Sequence, residues 1–531
     1  MNPDTNSLHR RLLDELSFLK SAESLDGALA RSISLGAGAG VLVPAGVSHL
    51  GEAILGECGV PRTWLTEPGS IAFVAHDRNN RMTGVVGFAC SDDLSVRVDL
   101  LYWSPAAPET SSAAIEALSR WVLNCLYVER IQAGHGDPAG GWEAAGFVGG
   151  VYVPTQARNP GTNLILTAGP SVSMKEAFYA YDAAKHGWNR RWSDYLTRFE
   201  QTFAGYLGVR HAMATSSCTG ALHIALAALE IGPGDEVIVP DVTWVATANA
   251  VRYVGATPVF ADIEIDSWCM DARSFESKIT QRTKAVIPVH LYGHPARMDK
   301  IMPIAEKHGL FVIEDAAPAV GAEWHGRKVG TYGHFAAYSF QGAKLLVTGE
   351  GGMLVTNDDA LHQKAQSIWD QGRSHTRAFW IDKPGLKYKM ANVQAAIGLA
   401  QIERVEELIE MKRRLFNWYA EDLGDLTCAS LNHEVPGARS ICWMTSLLLN
   451  ERSTMTRDQL RDQLRKRNVD SRPVFPAISQ YPIWPVKQAP QPVALHVGDN
   501  AINLPSGVCL RREEVAYISA CVRDILAGNR L

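Results

Sequence analysis

Ser339-Phe-Gln-Gly-Ala-Lys-Leu-Leu-Val-Thr-Gly-Glu-Gly-Gly-Met353 is the stretch on which the reading of this chain turns. The run Phe335 to Phe340, apolar apart from small residues, predicts a strand. It enters a turn containing Gly342, presents one lysine at Lys344 and leaves through Gly349 to Gly352. A lysine on a stiff, partly desolvated turn has its pKa lowered, and the neutral amine is the nucleophile. The chemistry that suits it is Schiff-base formation. The chain has 51 Lys and Arg in all, most of which must be solvated surface groups, so the neighbours of Lys344 decide.

Outward from that stretch, Ala212 to about Val355 alternates short apolar runs with helical ones. MATSSCTG leads into ALHIALAALEI, GPGDEVIVP is followed by a helix near ATANAVRYV, then come TPVFADI, TKAVIPVHLYG, MDKIMPIAEKHG and LFVIED. Strands separated by helices predict an α/β unit with a mostly parallel sheet, in which ligands gather at the carboxyl ends of the strands. Four groups fall at such ends or open a helix. Ser216-Ser217-Cys218-Thr219-Gly220 precedes a helix, so free N–H groups and hydroxyls face one point at the positive end of its dipole. Asp315 ends the strand from Leu310, with small residues beside it. Trp244 follows VIVP and offers a flat face. Singly, each has a plainer reading: an N-cap, a strand-end cap, a core tryptophan. Together with Lys344 they supply an anion site, a partner for a protonated ring nitrogen, a stacking face and an amine, which is what pyridoxal 5′-phosphate requires.

The order of GPGDEVIVP, TWVATANAVRYVGATPVFADI, VIPVHLYGH, VIEDAA, YSFQGAKLLVTGEGGM, MANVQAAIGLAQIERVEE and SRPVF resembles the fold-type I sugar aminotransferases of the DegT/StrS family, nearest the perosamine synthases within it. That resemblance spans about residues 174 to 531. It implies Lys344 as the lysine that forms the aldimine, Asp315 as the pyridine partner and Trp244 as the stacking ring. Thr219 and Ser339 become phosphate hydroxyls, with Ser217 and Cys218 at the same helix start. It also implies a homodimer, in which Lys387 stands where the family's usual Asn reaches the phosphate of the second subunit. Arg472 in SRPVF is expected beside the substrate, and the strand end with His290 and Tyr292 has two readings, a lining of the substrate pocket or a satisfied core histidine. Two further positions depart from the family pattern: Pro318 replaces a Gln or Glu near the cofactor, and Pro476 replaces a histidine near the substrate.

The 531 residues divide, on this reading, into an N-terminal domain over 1–168, a cofactor-binding large domain over 169–405 and a small α+β domain over 406–531. Residues 1 to about 30 have helical leucine spacing. Ile71 to Trp103 reads as a hairpin or meander, Ala113 to Leu126 as a helix, and VERIQAGH and GWEAAGFVGGVYVP as strand, turn and strand. That order resembles the GNAT acyltransferase superfamily, although the turn Ser104 to Ser112 has two prolines, no glycine and Glu109 where an anion would dock. A net charge of −5 with 20% charged residues provides no field for nucleic acid or anionic lipid. Nine scattered cysteines without a C-x-x-C pair indicate neither a disulfide framework nor a zinc site, and no metal is expected. With no signal-like or membrane-length apolar run, a soluble cytoplasmic protein is expected.

The function expected is transfer of an amino group from an amino acid, by family analogy glutamate, to a keto-sugar, nucleotide-linked, in ping-pong order. Two rivals are a bifunctional enzyme whose N-terminal domain uses acyl-CoA, and a non-catalytic binding protein of the same fold. The first predicts acyl-CoA binding by the N-terminal domain, and the second predicts no cofactor.

Overall fold

The computed structural model describes residues 160–374 and 376–528 and, ahead of them, eight strands, one helix and a few positions between. The helix expected over the first thirty residues and the proline-containing turn before Ser111 lie outside the described residues. The chain forms two compact units, Met1–Asn159 with Ser171–Asp182, and Pro160–Pro170 with Ala183–Leu531.

In the first unit, Ser70–His76, Met82–Cys90 and Ser95–Trp103 form an antiparallel meander. The helix Ser111–Cys125 then leads to Arg130–Ala133, which pairs parallel with the start of Ser95–Trp103. Alternation in these strands turns Phe73, Phe88, Val96 and Val98 inward against Ile115, Leu118 and Val122 of the helix, an apolar layer that holds the sheet to this helix. The parallel pairing stops at Val98 and Ala133. Beyond it the carboxylate of Asp99 is buried and receives Arg97 Nε at 3.1 Å.

In the second unit a seven-stranded sheet runs in the order Thr257–Ala261, Glu236–Pro240, Thr283–Val286, Phe311–Asp315, Phe335–Ser339, Gly352–Thr356, His211–Thr215. The first five are parallel, and Gly352–Thr356 is antiparallel to both its neighbours. Buried on both faces, these strands read as continuous apolar runs, as in EVIVP and FVIED, rather than alternating ones. At the open edge, Gln488 plays the part of a missing strand. Its side chain donates to Pro258 O at 2.8 Å and accepts from Phe260 N at 3.0 Å, so the edge is covered.

Four antiparallel strands, Ala429–Leu431, Ser446–Leu449, Ala501–Asn503 and Arg472–Pro473, pack with the helices Val405–Leu423, Arg457–Lys466 and Arg512–Leu526 around Leu415, Leu447, Leu460, Ile502 and Ile518. The helix Asp194–Leu207 supplies the aromatic anchors expected of it. Phe199 and Phe203 meet Phe340 at 5.2 and 5.6 Å, and Phe203 meets Tyr338 at 5.0 Å. Each such pair adds about 1 kcal/mol beyond burial and clamps the strand that delivers Lys344. Six cysteines among the described residues are free thiols, and no helix among them is long and apolar enough to cross a membrane.

Candidate active site

At the carboxyl ends of the strands Phe311–Asp315 and Phe335–Ser339 lies a cavity of about 530 Å³. Ser217, Cys218, Thr219, Trp244, Tyr292, Asp315, Ser339, Lys344 and Arg472 all line it, so the fold brings together nine positions that the sequence scatters over about 250 residues.

The helix Cys218–Ala228 points its start into this cavity. Ser217 caps it, its hydroxyl accepting from Gly220 N at 3.0 Å, which leaves the N–H groups of Cys218 and Thr219 for a ligand. Gly352 lets the neighbouring strand approach, since a Cβ there would lie 2.5 Å from Cys218 N. Asp315 is buried, and Thr247 Oγ1 donates to it at 2.7 Å and Ala317 N at 3.1 Å. Burial pushes its pKa up despite those two donors and the Lys344 amine. A buried carboxylate of this kind gains most from a cationic N–H placed against it.

Lys344 sits on a turn stitched at both sides. Its N–H bonds Gln341 O at 2.8 Å, Gly342 N bonds Gly349 O at 2.9 Å, and Thr348 N bonds Phe340 O at 2.8 Å. Gly349 takes a left-handed φ of 85°. Burial lowers the lysine pKa to about 8, against the opposing pull of Asp315 and Cys218. The amine lies 3.8 Å from the centre of the Trp443 ring.

Tyr292, Trp443 and Phe475 build one wall as a stack, with Tyr292 lying 5.8 Å from Trp443 and 5.5 Å from Phe475, nearly parallel to each. Tyr292 has a left-handed φ of 52°. Its hydroxyl accepts from Asn503 Nδ2 at 3.3 Å and Phe475 N at 3.4 Å, which holds the ring. Trp244 stands 59% exposed at the cavity, with its ring 5.6 Å from Phe475.

One of the expected positions falls elsewhere. His290 does not line the cavity: it is fully buried, bonds Glu314 Oε2 through Nε2 at 3.0 Å and accepts Ala296 N at Nδ1 at 2.9 Å. Glu314 also accepts the N–H groups of Gly330, Tyr332 and Gly333, so this histidine belongs to a satisfied structural knot. Lys387 is exposed and outside the cavity of its own chain. Pro318 and Pro476 are likewise absent from the lining. Trp443, Phe475, Asn503 and Thr247 are the positions that sequence reasoning missed. Thr247 carried a signal, since it stands three residues after Trp244 on the helix Ala246–Tyr253.

The donor set fits pyridoxal phosphate on its own chemistry: unpaired N–H groups and hydroxyls for an anion at one end, a buried carboxylate for a ring N–H, a flat ring beside them and an amine of lowered pKa. An open, mostly parallel sheet with this set at its strand ends defines a fold-type I pyridoxal-phosphate enzyme. The chain belongs to the DegT/DnrJ/EryC1/StrS aminotransferase family, whose model matches residues 171–523, and it is a pyridoxal-phosphate-dependent aminotransferase. It is 41% identical to a GDP-perosamine synthase of Caulobacter vibrioides over 68% of this chain and 98% of that one. It is 40% identical to a UDP-N-acetyl-3-dehydro-alpha-D-glucosamine 3-aminotransferase of Acidithiobacillus ferrooxidans, over 62% and 88%. Among solved structures, a DegT/DnrJ/EryC1/StrS aminotransferase from Brucella abortus superposes with a TM-score of 0.62 at 30% identity, over 66% of this chain and 95% of that one. The family match leaves residues 1–170 outside it.

Proposed function

We propose that this enzyme moves an amino group from an amino acid, glutamate by family analogy, to the ketone of a nucleotide-linked sugar, in two half-reactions at one cavity. The observation that carries the reading is the convergence of Lys344, Asp315, the Cys218 helix start and Ser339 on that cavity. The relatives named for GDP- and UDP-linked amino sugars support the substrate class. The acceptor gains the amino group and the donor leaves as its keto acid, so nothing is oxidised or reduced overall.

Thr219, Ser339 and the N–H groups at the helix start would hold the phosphate, Trp244 would offer its face to the ring, Asp315 would keep the ring nitrogen protonated, and Lys344 would be the covalent attachment point. Bound there, pyridoxal phosphate supplies an aldehyde that carries the amino group and a ring that accepts electron density from the substrate carbon. Asp315 makes that ring a better acceptor by holding its proton. Lys344, with a pKa of about 8, exchanges protons near neutral pH and serves as the base that takes the donor's α-proton and as the acid that returns it. Arg472 at the cavity provides a positive charge for the substrate's diphosphate. The stacked wall of Tyr292 and Phe475 offers apolar faces for a sugar ring and excludes water.

The working form in this proposal is a homodimer. The segment carrying Lys387 also presents Phe379 at 99% exposure, with Trp380 and Ile381 beside it, an apolar patch that pairing would cover. Lys387 then serves the phosphate of the second copy. Borohydride reduction of the loaded enzyme followed by peptide mass spectrometry tests the central assignment. The adduct is expected at Lys344, and an adduct confined to another lysine would overturn it. Screening keto-sugars, nucleotide-linked and free, against the amine-loaded enzyme identifies the acceptor.

A further inference from the structure

Trp443 lies 100 residues from Ala343 in sequence, yet its indole Nε1 donates to Ala343 O at 2.7 Å, one residue before the cavity lysine. Its own N–H bonds Tyr292 O at 3.0 Å. The ring is therefore fixed from two sides, and the Lys344 amine stands over its face at 3.8 Å, the separation of a close cation–π contact. A second lysine holds the backbone of this tryptophan. Lys412, 3% exposed on the helix Val405–Leu423, donates to Trp443 O at 2.8 Å and also to Ser506 O. Ser506 is tied in turn to Thr445 N through its hydroxyl at 2.9 Å, so one buried amine fastens the two loops on which the ring depends.

We infer that Trp443 is the face on which the Lys344 ammonium rests when its nitrogen is not covalently engaged, and that Lys412 is the positioning residue that holds this face in register. A proton-carrying lysine needs a place for its charged form that does not bond it tightly. A carboxylate would trap the ammonium, and Asp315, which accepts from Thr247 and Ala317, makes no hydrogen bond to the Lys344 amine among the described residues. An indole face stabilises the charge without taking a hydrogen bond from it, so the amine keeps its hydrogens for the substrate carbon. The other charged or titratable groups around it are Asp315, Cys218, and Tyr292, Glu350 and Arg472 of the cavity lining.

This inference rests on Lys344 being the cofactor lysine, and the test is chosen to separate the two. In the full-length chain stripped of cofactor, the pH dependence of acetic anhydride labelling at Lys344, followed by mass spectrometry, reads the amine's own titration. Incorporating singly and then multiply fluorinated tryptophan at 443 withdraws density from the ring face while keeping its shape. The labelling inflection is expected to move to lower pH stepwise, by about half a unit to one unit in total. An inflection that stays in place across the series would overturn the role of Trp443. Lys412→Met is expected to move it in the same direction, and a folded Lys412→Met chain with an unmoved inflection would remove Lys412 from the device. If hydride trapping finds a lysine other than Lys344, the functional assignment itself falls. If trapping finds Lys344 while fluorination has no effect, only the inference drawn from Trp443 falls.

Discussion

Lys344 and Lys412 make an instructive pair. Burial lowers both pKa values, to about 8 and about 7, and the two residues flank the same tryptophan. Their surroundings nevertheless assign opposite work. A neutral amine has two N–H groups, and the site of Lys412 provides two carbonyls, so its hydrogens are consumed in the fold. Lys344 Nζ has no hydrogen-bond acceptor among the described residues and opens on the cavity. Desolvation alone therefore does not make a lysine reactive. What distinguishes Lys344 is access, together with the absence of a competing partner.

The largest effect that would break this contrast is chemical. Lys344→Ala is expected to abolish turnover and hydride trapping together, whereas Lys412→Met keeps trapping at Lys344; trapping lost only in the Lys412 variant would reverse the roles. Next comes Asp315→Asn, which keeps the approximate shape but loses the charge that holds a ring proton. Steady-state kinetics should show kcat lower by roughly a hundredfold or more with the fold intact.

Lys412→Ala should lower stability by about 3 kcal/mol in denaturant titration, because it leaves the Trp443 and Ser506 carbonyls unpaired and opens a small void. Lys344→Ala, whose side chain only borders a cavity, should cost far less. The rate at which cofactor-free protein takes up pyridoxal phosphate should fall about tenfold per pH unit below 8, as the neutral amine is lost, and level off above it. Stopped-flow absorbance would read this.

The last test reads a slope. Lys412 has a folded pKa of about 7 against an ordinary 10.5, so between those values the unfolded chain binds more protons and the lysine's contribution to stability rises with pH. Thermal melts of wild type and Lys412→Met should diverge in favour of wild type as pH climbs from 7 towards 10. Parallel curves would mean that Lys412 remains an ammonium in the fold.

Much of the architecture was legible locally. Runs such as FVIED and the helix from Arg512 to Leu526 appear where the periodicity put them, because parallel strands buried on both faces and amphipathic helices leave strong patterns over a few residues. Lys344, Asp315, Trp244 and the helix start at Cys218 were legible for a related reason: each is a chemical group at the end of a regular element, where an open α/β sheet collects its ligands. His290 stayed open in the sequence because a strand-end histidine looks the same whether it faces a cavity or a buried Glu314. Only the packing of the 330–333 turn around that carboxylate separates the two cases.

The sequence by itself determined the element order, the chemistry on offer and the lysine at the centre. Tertiary structure alone decided which groups meet that lysine. Trp443 reaches it from the segment just ahead of the strand Ser446–Leu449, and Lys412 holds the Trp443 carbonyl from a helix whose pattern marks only a buried face. Periodicity records whether a side chain is inside. The identity of its neighbour inside is set by long-range closure of the chain, which no local spacing encodes.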